Sequence, residues 1–425
     1  MNKSVISWAL YDVANTVFNL GVVGIFLPLF LINERQGTAD ADLGFTVGAS
    51  MAVVLVAGPF LGALTDQLNV RVRIFTFLNI TAAISTCMIG FSPALLGSLV
   101  FFSMAFVCVY LAELLYNSML SEVSTPRNRG KVGGAAIGLG YVGSLAVISV
   151  ILVAQYLVGA PNQSLGFIGI ACIFIFTALP ITIFFVEDRS CGKRPRKNAV
   201  LSSTWVQIRQ TWNYFRKNSK LRMFFIARYF YMMAVTTAST FAFLYGVNTI
   251  GLSEIQIYIV IVVGTVVAIP SAVLWGFIVD FSGSAPALKW NIMGWVLILA
   301  CSVSIPLMNL PNQLWWPLGV ITGFCFGGLW VADRPLLIQL SPPEKLGEMF
   351  GIYGATSRLA YLTGAFAWPL VAVKLGLGQP AAVFLLLCCS LVGLGILSRW
   401  LASEDSPPVA KSHKQPLDRH SDRYF

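Results

Sequence analysis

Stretches of roughly 20 mostly apolar residues recur along nearly the whole chain, and no other feature limits its folding so tightly. A bilayer core of roughly 30 Å is crossed by about 20 such residues in a helix, which also satisfies every backbone hydrogen bond internally. Spans are predicted at 6–32, 43–64, 74–92, 95–120, 133–158 and 164–186, then at 221–248, 255–279, 290–308, 314–338, 350–374 and 380–402. Of 425 residues, 57% are hydrophobic and 11% charged, against roughly one-quarter charged in soluble domains. The polar residues are too few to coat soluble domains of this total size. The first span carries Asp12 and Asn15 and has no convincing small-residue cleavage site, so it is expected to stay as a span.

Positive residues near span ends are retained in the cytoplasm during insertion. One side collects Arg71, Arg73, Arg127, Arg129, Lys131, the run from Arg189 through Arg222, Lys289, Lys345 and the tail; the other has Arg35 and Lys374. Both termini are therefore expected in the cytoplasm. The net charge of +10 follows from this topology and from attraction to anionic lipids, and does not point to nucleic acid.

Four regions are expected: an N-terminal six-helix bundle (1–186), a basic cytoplasmic linker (187–220), a C-terminal six-helix bundle (221–402) and a disordered cytoplasmic tail (403–425). Trp205, Ile208, Trp212 and Phe215 fall at helical spacing in the linker, as in an interfacial helix. Internal repetition supports the division into halves. Gly62 and Asp66 follow the second span as Gly276 and Asp280 follow the eighth. Pro126, Gly130 and Gly134 repeat as Pro343, Gly347 and Gly351, so the two offsets, about 214 and about 217 residues, nearly agree. The fold class is thus an all-α polytopic membrane protein, about twelve transmembrane helices in two pseudo-symmetric six-helix bundles.

Gly62, Leu64, Asp66, Arg71 and Arg73 resemble the loop motif between the second and third helices of the major facilitator superfamily. Trp8-Ala9-Leu10-Tyr11-Asp12-Val13-Ala14-Asn15-Thr16, with Tyr116-Asn117-Ser118 and Arg129-Gly130-Lys131, is similar to its vacuole effluxer-like branch. Gln67 stands where the superfamily usually has a basic residue, and Met232-Met233 where the branch often shows an Asp. The resemblance implies alternating access, a cavity lined by spans one, four, seven and ten, and export of amino acids or similar small solutes. It also implies the plasma membrane in a bacterium and the vacuolar membrane in a eukaryote.

Ionisable side chains inside hydrocarbon are costly and normally face a partner or a watery cavity. Asp12, Asn15, Thr16 and Asn19 form one stripe on the first span, and Glu113, Tyr116 and Asn117 another on the fourth. Arg228 and Tyr231 lie on the seventh, Trp330, Asp333 and Arg334 on the tenth, Arg358 and Tyr361 on the eleventh. Glu113 is the deeper acid and the better proton carrier; Asp12 divides evenly between proton binding and a capping or gating role. Arg228 and Arg358 either bind a substrate carboxylate or phosphate or neutralise Asp12 and Glu113, with substrate or carboxylate pairing preferred for Arg358. Asp66 with Arg71 and Arg73 is read as a latch at the inner rim, and Asp333 with Arg334 as an inner-gate ion pair.

The chain has no G-x-x-x-x-G-K-[ST] loop, its two histidines lie in the tail and its eight cysteines include no C-x-x-C pair. An enzyme, a metal site and a cofactor are not expected. The expected protein is a monomeric secondary transporter of a small polar solute, with or without proton coupling, with a lipid bilayer around it. Efflux of amphipathic drug-like compounds and a non-transporting scaffold or receptor are the alternatives.

Overall fold

A computed structural model describes residues 3–34, 38–68, 70–123, 136, 138–143, 145–147, 149–150, 163–185, 218–342 and 346–402. The expected linker helix, the tail and most of the fifth span lie outside them. The helices are α1 (Lys3–Glu34), α2 (Ala39–Leu68), α3 (Arg71–Ile89), α4 (Leu95–Val123), α5 (Gly138–Val147), α6 (Gln163–Phe184), α7 (Ser219–Asn248), α8 (Glu254–Ser282), α9 (Ser284–Leu307), α10 (Trp315–Leu340), α11 (Leu346–Pro369) and α12 (Gly378–Ala402). Among the described residues, ten are long and apolar enough to cross a membrane. α5 is the short described part of its span, and α11 has spanning length but more polar character. Turns are tight where the sequence allows it: α8 and α9 are joined through Gly283 alone, at φ 90°, a conformation that favours glycine.

The two halves pack by the same scheme, advanced by six helices. In the first, α1 packs on α6, α3 on α4 and α6, and α2 on α4; in the second, α7 packs on α12, α9 on α10 and α12, and α8 on α10. The halves meet mainly along α1 with α7 and α2 with α11. Burial follows from this plan. α1 and α7 have 61% and 67% of their apolar windows buried against 22% for α8, so α1 and α7 form the interior and α8 the rim. Phe60, Phe176 and Phe281 are 74%, 80% and 93% exposed, a cost in water that vanishes in lipid.

With lipid as apolar as leucine, helix association depends on close contact and on hydrogen bonds. A Cβ at Gly323 of α10 would collide with the backbone of Gly264 on α8. Val17–Phe26 of α1 is a π-helix, as is Leu370–Lys374 after α11. π segments concentrate at functional sites, and the one in α1 holds Asn19.

Candidate functional site

Asp333 is fully buried and saturated. Its carboxylate accepts hydrogen bonds from Arg228 Nε at 3.1 Å, Tyr231 OH at 2.6 Å and Tyr353 OH at 2.7 Å. Arg228 donates its Nη1 to the Tyr353 carbonyl at 2.9 Å, and its guanidinium lies 3.4 Å from the centre of the Tyr353 ring. The cluster ties α7, α10 and α11 together inside the second half. The Asp333–Arg334 gate pair read from the sequence is therefore corrected: Asp333 pairs with Arg228, because neighbours on a helix point about 100° apart and cannot share a face. The reading of Arg228 as a substrate ligand, or as the counter-charge to Asp12 and Glu113, is corrected likewise, since Asp333 and Tyr353 occupy its guanidinium. At corresponding helices of the first half, Trp8 of α1 donates its Nε1 to the Tyr116 carbonyl of α4 at 3.1 Å and stacks on its ring at 4.5 Å. Tyr116, 3% exposed, is thus packed between Trp8 and Tyr11.

Arg334 turns the other way. It acts electrostatically on Asp12 and Glu113 of the first half, and Glu113 is also within the field of Arg358. All four are half-buried. No ion pair within 4 Å joins either acid to either arginine among the described residues. Asn117, one turn along α4, lies beside Glu113. Close approach of α5 frames Asp12: a Cβ on Gly140 would stand 2.7 Å from its Oδ2. The acids of α1 and α4 thus lie within the electrostatic reach of guanidiniums from the other half, Arg334 for both and Arg358 for Glu113.

Further into the bilayer the chemistry becomes neutral. Asn19 donates to the Asn15 carbonyl and side-chain oxygen at 2.9 and 3.1 Å, and Tyr110 OH donates to Asn19 Oδ1 at 2.8 Å. Across the interface Thr240 donates to Tyr361 OH at 2.9 Å, and the rings of Tyr110 and Tyr361 lie 6.2 Å apart with Phe106 beside both. Sequence reasoning missed Tyr110 and Thr240. Tyr110 stands one turn before Glu113 on the same stripe, a spacing that marks it; Thr240 carries no comparable signal. Trp330 is half-buried and packs edge-on to Phe326. At the rim, Arg71 is half-buried and Arg73 exposed at the start of α3. The Asp66 side chain lies outside the described residues.

Two six-helix halves repeating one packing scheme around a shared charged interface define a membrane transport protein. The profile of the Major Facilitator Superfamily matches residues 13–332, and the chain belongs to that family. It is 27% identical over 425 residues to YxiO of Bacillus subtilis (strain 168), an uncharacterized MFS-type transporter, covering 95% of this chain and 96% of that one. It is 26% identical over 305 residues to Autophagy-related protein 22 of Botryotinia fuckeliana (strain B05.10), covering 62% of this chain and 42% of the fungal protein. Among solved structures, the nucleoside transporter NupG superposes with a TM-score of 0.67 at 13% identity, covering 94% of this chain and 100% of that one. A D-xylose-proton symporter gives 0.65 at 15%, covering 94% and 96%.

Proposed function

We propose that this transporter moves small zwitterionic solutes, amino acids foremost, by alternating access together with a proton travelling in the same direction. The observation that carries the reading is the charge division at the interface, with Asp12 and Glu113 on one half and Arg334 and Arg358 on the other. A zwitterion placed between them offers its carboxylate to the guanidiniums and its ammonium to Asp12, which leaves Glu113 free to carry the proton as the halves close. Arg358 is the principal carboxylate ligand and Glu113 the proton carrier. The neutral floor of Asn19, Tyr110, Thr240 and Tyr361 meets the rest of the solute. The resemblance to the vacuole effluxer-like branch favours amino acids; that a structural neighbour is a D-xylose-proton symporter agrees with proton coupling.

Purified protein screened against single amino acids is expected to show a thermal midpoint rise of about 1 °C or more with at least one, since ligand at about 100 times Kd stabilises by about 2.7 kcal/mol. Arg358→Ala is expected to lose the rise and the control Arg399→Ala, on the exposed end of α12, to keep it. A rise unchanged in Arg358→Ala removes that residue from the site.

We further propose that both termini face the cytoplasm, from the positive residues gathered on that side. An impermeant thiol reagent is expected to label Gln36→Cys from outside and Asn198→Cys only after permeabilisation. Reversed labelling inverts the orientation.

A further inference from the structure

On the side of the membrane opposite the N-terminus, the two halves are joined by a hydrogen-bonded carboxylate. Asp40, in the first turn of α2, is 8% exposed. It accepts from Trp368 Nε1 at 2.6 Å, and from Gln379 Nε2 at 3.0 Å on Oδ1 and 2.8 Å on Oδ2. Trp368 closes α11 and Gln379 opens α12, so these bonds cross from the first half to the second over more than 300 residues of chain. Both partners are themselves anchored. The Trp368 ring stacks on Phe241 of α7 at 4.6 Å, and Gln379 accepts from Thr249 just past α7. One carboxylate therefore grips α11, α12 and α7 together.

Below it the helices are shaped to close. A Cβ on Gly44 would lie 2.6 Å from the Ala365 carbonyl oxygen, and one on Gly48 would lie 2.9 Å from the Phe366 ring. Phe45 and Phe366 fill the flank with ring centres 6.0 Å apart. Asp40, Gly44 and Gly48 recur every four residues, so a single face of α2 carries both the contact and the acceptor.

We propose that Asp40, with Trp368 and Gln379, is the latch that holds the membrane face opposite the termini shut while the charged site is open toward the other face. The inference rests on the alternating-access reading above and adds to it the device that closes this face. The donors are neutral and the acceptor is a carboxylate, so each bond is charge-assisted and strong where water is excluded. Three such bonds, one to α11 and two to α12, break when α2 parts from both helices, which favours the shut state until a competing gain, such as closure of the opposite face, offsets them. A carboxylate serving only the helix dipole of α2 would need none of these partners.

The test is the distance between spin labels at Thr38→Cys and Leu377→Cys, one on each half at this face, in a background with the eight native cysteines replaced. The parent is expected to give a dominant short distance. Asp40→Ala is expected to raise the ratio of long to short populations by roughly tenfold or more, because a hydrogen bond to a charged group contributes roughly 1.5–3 kcal/mol, about one to two powers of ten. Trp368→Phe, which keeps the stack on Phe241 and removes only the N–H, and Gln379→Ala are expected to shift it the same way by less. They decide the matter should Asp40→Ala fail to fold. Unchanged distances in Asp40→Ala, or in both partner variants, overturn the latch. No solute takes part, so that failure leaves the substrate reading standing, and a failure of amino acids to bind leaves the distances unaffected.

Discussion

Asp333→Ala is expected to destabilise the protein by about 3–5 kcal/mol, the usual cost of breaking a buried ion pair from one side, whereas Arg334→Ala, one residue further on, costs about 1 kcal/mol or less in folding and abolishes transport. Removing the Asp333 carboxylate strands the Arg228 guanidinium in the second half and takes the acceptor from Tyr231 and Tyr353. A charge left in a dry interior has no water to return to. Arg334 pairs with no acid within 4 Å among the described residues, so its loss leaves no comparable orphan. Size-exclusion profiles and thermal midpoints in one detergent separate the two, with Asp333→Ala yielding little folded protein. A double variant, Arg228→Met with Asp333→Leu, is expected to regain most of the lost stability, because apolar groups of similar volume often replace a buried pair at little cost. Wild-type stability in Asp333→Ala would show that the cluster is not structural.

The behaviour of these two neighbours also marks how far the sequence can be read. Among the described helices hydropathy alone placed most spans to within a few residues, because a bilayer leaves a chain little choice but helix. α10 runs over Trp315–Leu340 against an expected 314–338, although α9 begins at Ser284, six residues before the expected 290. The stripes on α1 and α4 were equally visible, since polar residues in hydrocarbon stand out and helical spacing assigns them a face. Partners across helices were not visible. Asp333 and Arg334 suggest a pair by adjacency, yet each answers to a residue more than 100 positions away, Arg228 in one case and Asp12 or Glu113 in the other. Asp40 carries no sequence signal of its own; only the meeting of α2 with α11 and α12 supplies Trp368 and Gln379. The π segment from Val17 to Phe26 has no counterpart in hydrophobic periodicity, because register within a helix depends on packing against α6 and α7 that the local sequence does not encode.

Glu113→Gln is expected to abolish solute accumulation driven by a pH gradient while sparing solute exchange. The substitution keeps the size of the side chain and its capacity to meet Asn117, and it fixes the group in the shape of the protonated acid. A carrier locked in the loaded form still binds and reorients with solute, so exchange persists; it cannot release its proton, so the gradient no longer does work on the solute. Asp12→Asn, by contrast, is expected to slow exchange and accumulation together and leave the pH dependence in place. Liposomes containing the purified protein, an imposed pH gradient and a radiolabelled amino acid identified by thermal shift provide the measurement. The wild type is expected to accumulate the amino acid several-fold above the equilibrated level, and to lose that excess when an ionophore collapses the gradient. Glu113→Gln is expected to reach only the equilibrated level while exchanging label at a rate close to wild type. Wild-type liposomes that neither exchange nor accumulate any amino acid that stabilises the protein would contradict the assignment of the charged interface as a transport site.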